Sequence, residues 1–84
     1  MKRYLVLAMR NADFNDEVIA PHLEFLQTLR TDGRLEITGG FSDKSGGAYV
    51  LQAENLAEAQ ALVDRDPLAT SGSSQMSVYE WNTR

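Results

Sequence analysis

Residues 3–9 read Arg3-Tyr4-Leu5-Val6-Leu7-Ala8-Met9, an almost unbroken apolar run. A run this short suits a strand, and the lack of alternation means that both of its faces are covered. Such a strand belongs in the centre of its sheet. The apolar stretch Tyr4–Met9 is too short for a signal-peptide core or a membrane span.

Working outward, Arg10 to Asn15 is a polar connection, and Asn15 or Asp13 can cap the helix that follows. Asp16 and Glu17 in its first turn favour the helix dipole. Val18, His22, Leu26 and Leu29 then recur at steps of three and four, with Ile19 and Leu23 alongside. That is the apolar stripe of an amphipathic helix. Pro21 either opens this helix in its first turn, after a looser preceding turn, or kinks a longer one. Asp32-Gly33 ends it. Leu35 to Phe41 alternates and predicts a strand with one solvated face. Ser42 to Gly47 is a turn, and Ala48 to Ala53 a third strand. Asn55-Leu56-Ala57-Glu58 has capping-box spacing before a second helix, which Pro67 ends near Asp66. Leu68 to Ser74 is a small turn or short helix, and Gln75 to Trp81 a fourth strand.

The order is β-α-β-β-α-β, the ferredoxin-like pattern of an α+β fold. Right-handed crossovers put both helices on one face of a four-stranded antiparallel sheet, with the first and third strands central. Residues 1–84 form one domain. The first strand is apolar on both sides, yet the helices cover only one. A second copy of the chain stacked sheet to sheet is the simplest cover, so a homodimer is expected. A chain of 84 residues also has a small core that a subunit interface would support.

Composition narrows the chemistry. There is no cysteine, hence no disulfide framework and no thiolate nucleophile, which fits a reducing, cytoplasmic setting. Net charge is −4, which disfavours nucleic acid and anionic membrane surfaces as partners. Gly46-Gly47-Ala48-Tyr49-Val50-Leu51 partly matches an RNA-binding strand motif. However, Gly47 and Gln52 stand where stacking aromatics belong, and Ser45 replaces the basic residue. No metal site is expected, because one histidine and no cysteine leave only carboxylates to complete a ligand set. The cluster Asp13, Asp16, Glu17 reads as a solvated helix start. No phosphate loop or dinucleotide fingerprint is present, and no cofactor is called for.

His22 is then the best candidate to carry chemistry, as the single side chain that titrates near neutral pH. Asp66, at the end of the second helix, lies on the same side of the sheet. A carboxylate bonded to one imidazole nitrogen fixes the tautomer and raises the basicity of the other, which makes a general base. Asp66 can equally cap the turn before Pro67 while His22 packs in the core, and spacing alone leaves both readings open. Arg34 and Ser42 are candidates to hold an anionic or phenolic ligand, although Arg34 also suits a solvated strand edge. Gly39 and Gly40 either let a ligand approach the backbone or form a bulge before the turn. Tyr79 and Trp81 share a strand face and can stack on a planar ligand or pack at an interface.

The chain as a whole resembles the YCII-related family of small dimeric α+β barrel proteins. The matching pieces are Tyr4-Leu5-Val6-Leu7, His22-Leu23-Glu24-Phe25-Leu26, Gly33-Arg34-Leu35 followed by Gly39-Gly40-Phe41, Asp64-Arg65-Asp66-Pro67-Leu68 and the closing Val78-Tyr79-Glu80-Trp81. The resemblance implies a pocket holding a His-Asp pair, here His22 and Asp66. The chain departs from the family at Gly40, where proline often follows the glycine, and in its short Phe41–Gly47 loop. A dechlorinating enzyme acting on chlorinated hydroxyquinols belongs to the family, and muconolactone isomerases share the fold more distantly. The expectation is cofactor-free acid/base chemistry on a small organic molecule, of isomerase, lyase or dehydrochlorinase type. The alternative is a non-catalytic module that uses the same dimer to bind a small ligand or a partner protein.

Overall fold

The computed structural model describes all 84 residues. Strand β1 (Lys2–Arg10) lies at the heart of a four-stranded antiparallel sheet of order β2-β3-β1-β4. Its neighbours are β3 (Gly46–Ala53) and β4 (Ser74–Glu80), and β2 (Leu35–Gly40) forms the far edge beyond β3. The inner positions of β1 are Tyr4, Val6 and Ala8, all buried. In register with them stand Leu51, Tyr49 and Gly47 of β3. Leu26 and Leu29 from helix α1 (Ile19–Thr31), together with Ala59 and Val63 from helix α2 (Leu56–Val63), close the core over this face.

The helix ends follow local chemistry. A single 3-10 turn, Asp16–Val18, precedes α1, and Asn15 caps it by accepting from the Glu17 amide. Pro21 therefore sits in the first turn of α1, where its missing N–H costs nothing. Gly33 closes the helix at φ +73°, and the Arg34 amide reaches back to the Leu29 carbonyl at 2.8 Å. This is a Schellman end, which requires a left-handed residue.

Two boundaries differ from expectation. Helix α2 stops at Val63, and Asp66 takes an extended backbone (φ −64°, ψ 129°) instead of ending that helix. Pro67 disfavours helical geometry in the residue before it. The chain re-enters a one-turn helix, α3 (Pro67–Thr70), with Asp66 as its cap. Strand β3 also begins at Gly46, inside the expected turn. A Cβ on Gly46 would lie 2.1 Å from the Ala8 carbonyl oxygen, and one on Gly47 would lie 2.5 Å from that of Gly39. These glycines let three strands close up where any side chain would force them apart.

The other sheet face carries no helix. Leu5, Leu7, Met9, Ile37, Tyr79 and Trp81 point to it, with Ile37 67% and Tyr79 54% exposed. Phe41 and Trp81 line a shallow groove there. No helix is long and apolar enough to cross a membrane.

Candidate active site

Three elements deliver one polar chain to the helix-covered side. Asp66 is fully buried, and the backbone that caps α3 aims its carboxylate. Oδ1 accepts from the Leu68 amide at 2.9 Å. Oδ2 accepts from the Tyr49 hydroxyl at 2.9 Å. His22, in the first part of α1, brings Nδ1 to 2.9 Å from Oδ1 and 3.1 Å from Oδ2. The capping role and the histidine contact, which the sequence left as alternatives, coexist in one carboxylate.

This arrangement assigns the imidazole protons. The Leu68 amide can only donate. Burial, then the Asp66 charge, then the hydrogen bond to Asp66 hold the Tyr49 hydroxyl far above the usual phenol range, so it remains a donor. The carboxylate is an acceptor in each contact, and Nδ1 must carry the proton that meets it. In the neutral ring Nε2 is then the nitrogen with the free lone pair, and it makes no hydrogen bond within the protein. The His22 side chain keeps 15% of its surface exposed.

That exposed edge borders a cavity of about 380 Å³, within the range that holds small organic ligands. Its walls come from α1 (Ile19, His22, Leu23, Leu26), the preceding loop (Phe14), α3 (Leu68) and the ends of the four strands. Gly39, Gly40, Gly46 and Gly47 supply a floor made of backbone.

The predicted site residues separate here. His22 and Asp66 meet, and Gly39 borders the cavity. Arg34 and Ser42 do not line it. The Arg34 guanidinium is held at 2.8 Å from Glu58 and 3.1 Å from the Gln52 carbonyl, at the opposite end of β3 from the cavity. This pair holds the Glu58 carboxyl below its usual range. Ser42 is exposed in the β2–β3 turn, ahead of the loop bonds by which Asp43 accepts from Ser45. The structure adds Tyr49, through its bond to Asp66, and the lining residues Arg10, Phe14 and Ser74, none of which is among the site residues expected from the sequence. The signal for Tyr49 was available, because a tyrosine on an inward strand position needs a hydrogen-bond partner for its hydroxyl.

A four-stranded antiparallel sheet with helices on one face, a covered His-Asp-Tyr chain and an open apolar face defines a small ferredoxin-like α+β protein. The chain belongs to the YCII-related domain family, whose model matches residues 2–82. It is 46% identical to the uncharacterized protein YjpA of Bacillus subtilis (strain 168), over all of this chain and 99% of that one. Among solved structures it is similar to 5-chloro-2-hydroxyhydroquinone dehydrochlorinase from Burkholderia phenoliruptrix AC1100, in complex with 2,5-dihydroxybenzoquinone. The TM-score is 0.79 at 20% identity, over 98% of this chain and 95% of that one. It is also similar to a muconolactone isomerase, with TM-score 0.76 at 12% identity over 98% and 90%. At these identities the likeness establishes the fold.

Proposed function

We propose that this protein is a cofactor-free enzyme that moves protons on a small organic molecule, with His22 as the general base and acid. The observation that carries the reading is the Nδ1 contact with a fully buried Asp66 of a histidine that lines a cavity of ligand size, which leaves Nε2 as the nitrogen for a substrate. Asp66 orients the ring and stabilises the imidazolium that forms when Nε2 takes a proton. Tyr49 and the Leu68 amide hold Asp66 in place, so the imidazole is set before a substrate arrives. Ile19, Leu23, Leu26 and Leu68 give the cavity an apolar wall on which the carbon frame of a small organic molecule can pack. Isomerisation and loss of a leaving group from an activated ring both need this equipment alone. The two structural neighbours perform a dehydrochlorination and an isomerisation, which supports those reaction classes here.

The working unit is a homodimer in this reading. The uncovered face with Leu5, Leu7, Ile37, Tyr79 and Trp81 supports it, since contiguous apolar surface of this kind is an interface in proteins of this size. The absence of cysteine supports a cytoplasmic setting.

The test is turnover of a panel of hydroxylated, chlorinated aromatics and unsaturated lactones by the protein and by His22→Gln. Loss of general base catalysis is expected to lower turnover by about 10²- to 10⁴-fold while the circular dichroism spectrum stays unchanged. Equal turnover by the folded variant would refute the role of His22.

A further inference from the structure

The cavity has a second polar end that the His22–Asp66–Tyr49 chain does not use. Arg10 and Ser74 stand opposite each other in the β1–β4 pairing. Both side chains fall on the helix-covered side, in line with Ala8 and Met76. Ser74 is only 7% exposed, borders the cavity, and its buried Oγ has no hydrogen-bond partner. A buried hydroxyl in a folded protein nearly always has one. Arg10 is the only lysine or arginine that lines the cavity, and no aspartate or glutamate lines it. Its guanidinium forms no ion pair within the chain and lies over the Phe14 ring, 4.1 Å from the centroid. Arg10 is thus the one permanent charge that the cavity lining presents, and it is positive.

We propose that Arg10 and Ser74 form the specificity end of the site and take the anionic oxygen of a small planar acid, a carboxylate or ionised enol or phenol on an unsaturated ring. The proposal rests on the reading of this cavity as the substrate site. A guanidinium supplies a planar fork of donors to an oxyanion, and the Ser74 hydroxyl, buried and unpartnered beside the cavity, supplies one more when it turns about χ1 toward the ligand. Planarity follows from the walls. The Phe14 ring lines the cavity beside Arg10, and the opposing floor is bare backbone. A Cβ placed on Gly40 would meet nothing nearer than the Gly46 carbonyl oxygen at 3.9 Å, so the space above it is open to a flat ring. A ring lying there with its oxyanion at Arg10 faces the His22 side of the same cavity.

The probe pair is benzoate and benzamide, which share shape and differ in charge, titrated by calorimetry and by backbone amide shifts. Benzoate is expected to bind at least about tenfold more tightly than benzamide. In Arg10→Gln that preference should fall to about one. Ser74→Ala should weaken benzoate several-fold without lowering the unfolding midpoint, because the hydroxyl it removes has no partner in the fold. His22→Gln should keep the benzoate preference, so failure of the proton-transfer reading and failure of this one give different results. Equal affinity for the two probes, no benzoate binding at millimolar concentration, or an undiminished preference in folded Arg10→Gln would each overturn the assignment.

Discussion

Replacing Tyr49 by phenylalanine removes one donor from Asp66 and nothing else, so its effect can be worked through. The Tyr49 hydroxyl is buried and donates to Oδ2 at 2.9 Å. A hydrogen bond to a charged group contributes about 1.5–3 kcal/mol, which sets the expected loss near neutral pH. In the folded protein burial and the Asp66 charge raise the phenol well above its ordinary value of 10.0. The sign follows directly. A group with a raised folded pKa contributes its full stability below the unfolded value and loses it as pH rises. Above pH 10.0 the unfolded chain releases this proton and the folded chain keeps it. Stability then falls by up to about 1.4 kcal/mol per pH unit, or about 2 kcal/mol by about pH 11.5. Tyr49→Phe escapes that loss. Tyr4 is also raised, chiefly by burial and then by Glu80, but it is present in both proteins and cancels in the difference. Urea unfolding followed by far-ultraviolet circular dichroism, at one protein concentration, provides the assay. With a slope of about 1 kcal/mol per molar, the midpoints should differ by about 2 M near neutrality and converge by about pH 11.5. A gap that stays constant with pH would show that the hydroxyl is not buried against Asp66, and the reasoning would fail.

Other substitutions test other parts of the account. Gly46→Ala should cost about 1–3 kcal/mol in urea unfolding, since its Cβ would sit 2.1 Å from the Ala8 carbonyl oxygen. Gly40→Val should leave the fold intact, as open space lies beyond that position, yet fill the cavity floor and abolish ligand binding in the same benzoate titration. If the uncovered face is the proposed homodimer interface, the native chain sediments as a dimer and Ile37→Glu, at a position 67% exposed on that face, as a monomer with an unchanged circular dichroism spectrum. Arg34→Gln should shift the urea midpoint only slightly, because its partner Glu58 is part-exposed and the pair is screened by solvent, and should leave ligand binding unchanged.

The sheet order and helix placement were legible because they depend on local periodicity. The unbroken run at Arg3–Met9 predicted a central strand, and β1 is flanked by β3 and β4. Asp32-Gly33 predicted the end of α1, where Gly33 takes a positive φ. Other features depend on which distant residues meet, and period carries no such information. Gly46-Gly47 looked like turn chemistry, whereas the real constraint is the approach of the Ala8 and Gly39 carbonyls. Arg34 looked free in sequence because Glu58 is 24 residues away. Arg10 and Ser74 face each other through the β1–β4 register alone. Local cues, an inward helix position and a carboxylate before proline, left the His22–Asp66 contact open, and the resemblance to the YCII-related family is what pointed to the pair. The inward position of Tyr49 follows from its alternation with Leu51, but its partner Asp66 lies 17 residues away and no local pattern joins the two.

The central claim is that Asp66 fixes the proton on Nδ1 of His22 and leaves Nε2 free to act as a base. Since this is the only histidine in the chain, long-range ¹H–¹⁵N spectra contain one imidazole and need no assignment. The measurement is the pair of ring nitrogen shifts in the neutral form. The account predicts a protonated Nδ1 and an unprotonated Nε2, a tautomer that the free imidazole side chain does not favour. An Nε2–H tautomer with a bare Nδ1 would contradict it, because Asp66 would then face a lone pair and no base would point into the cavity.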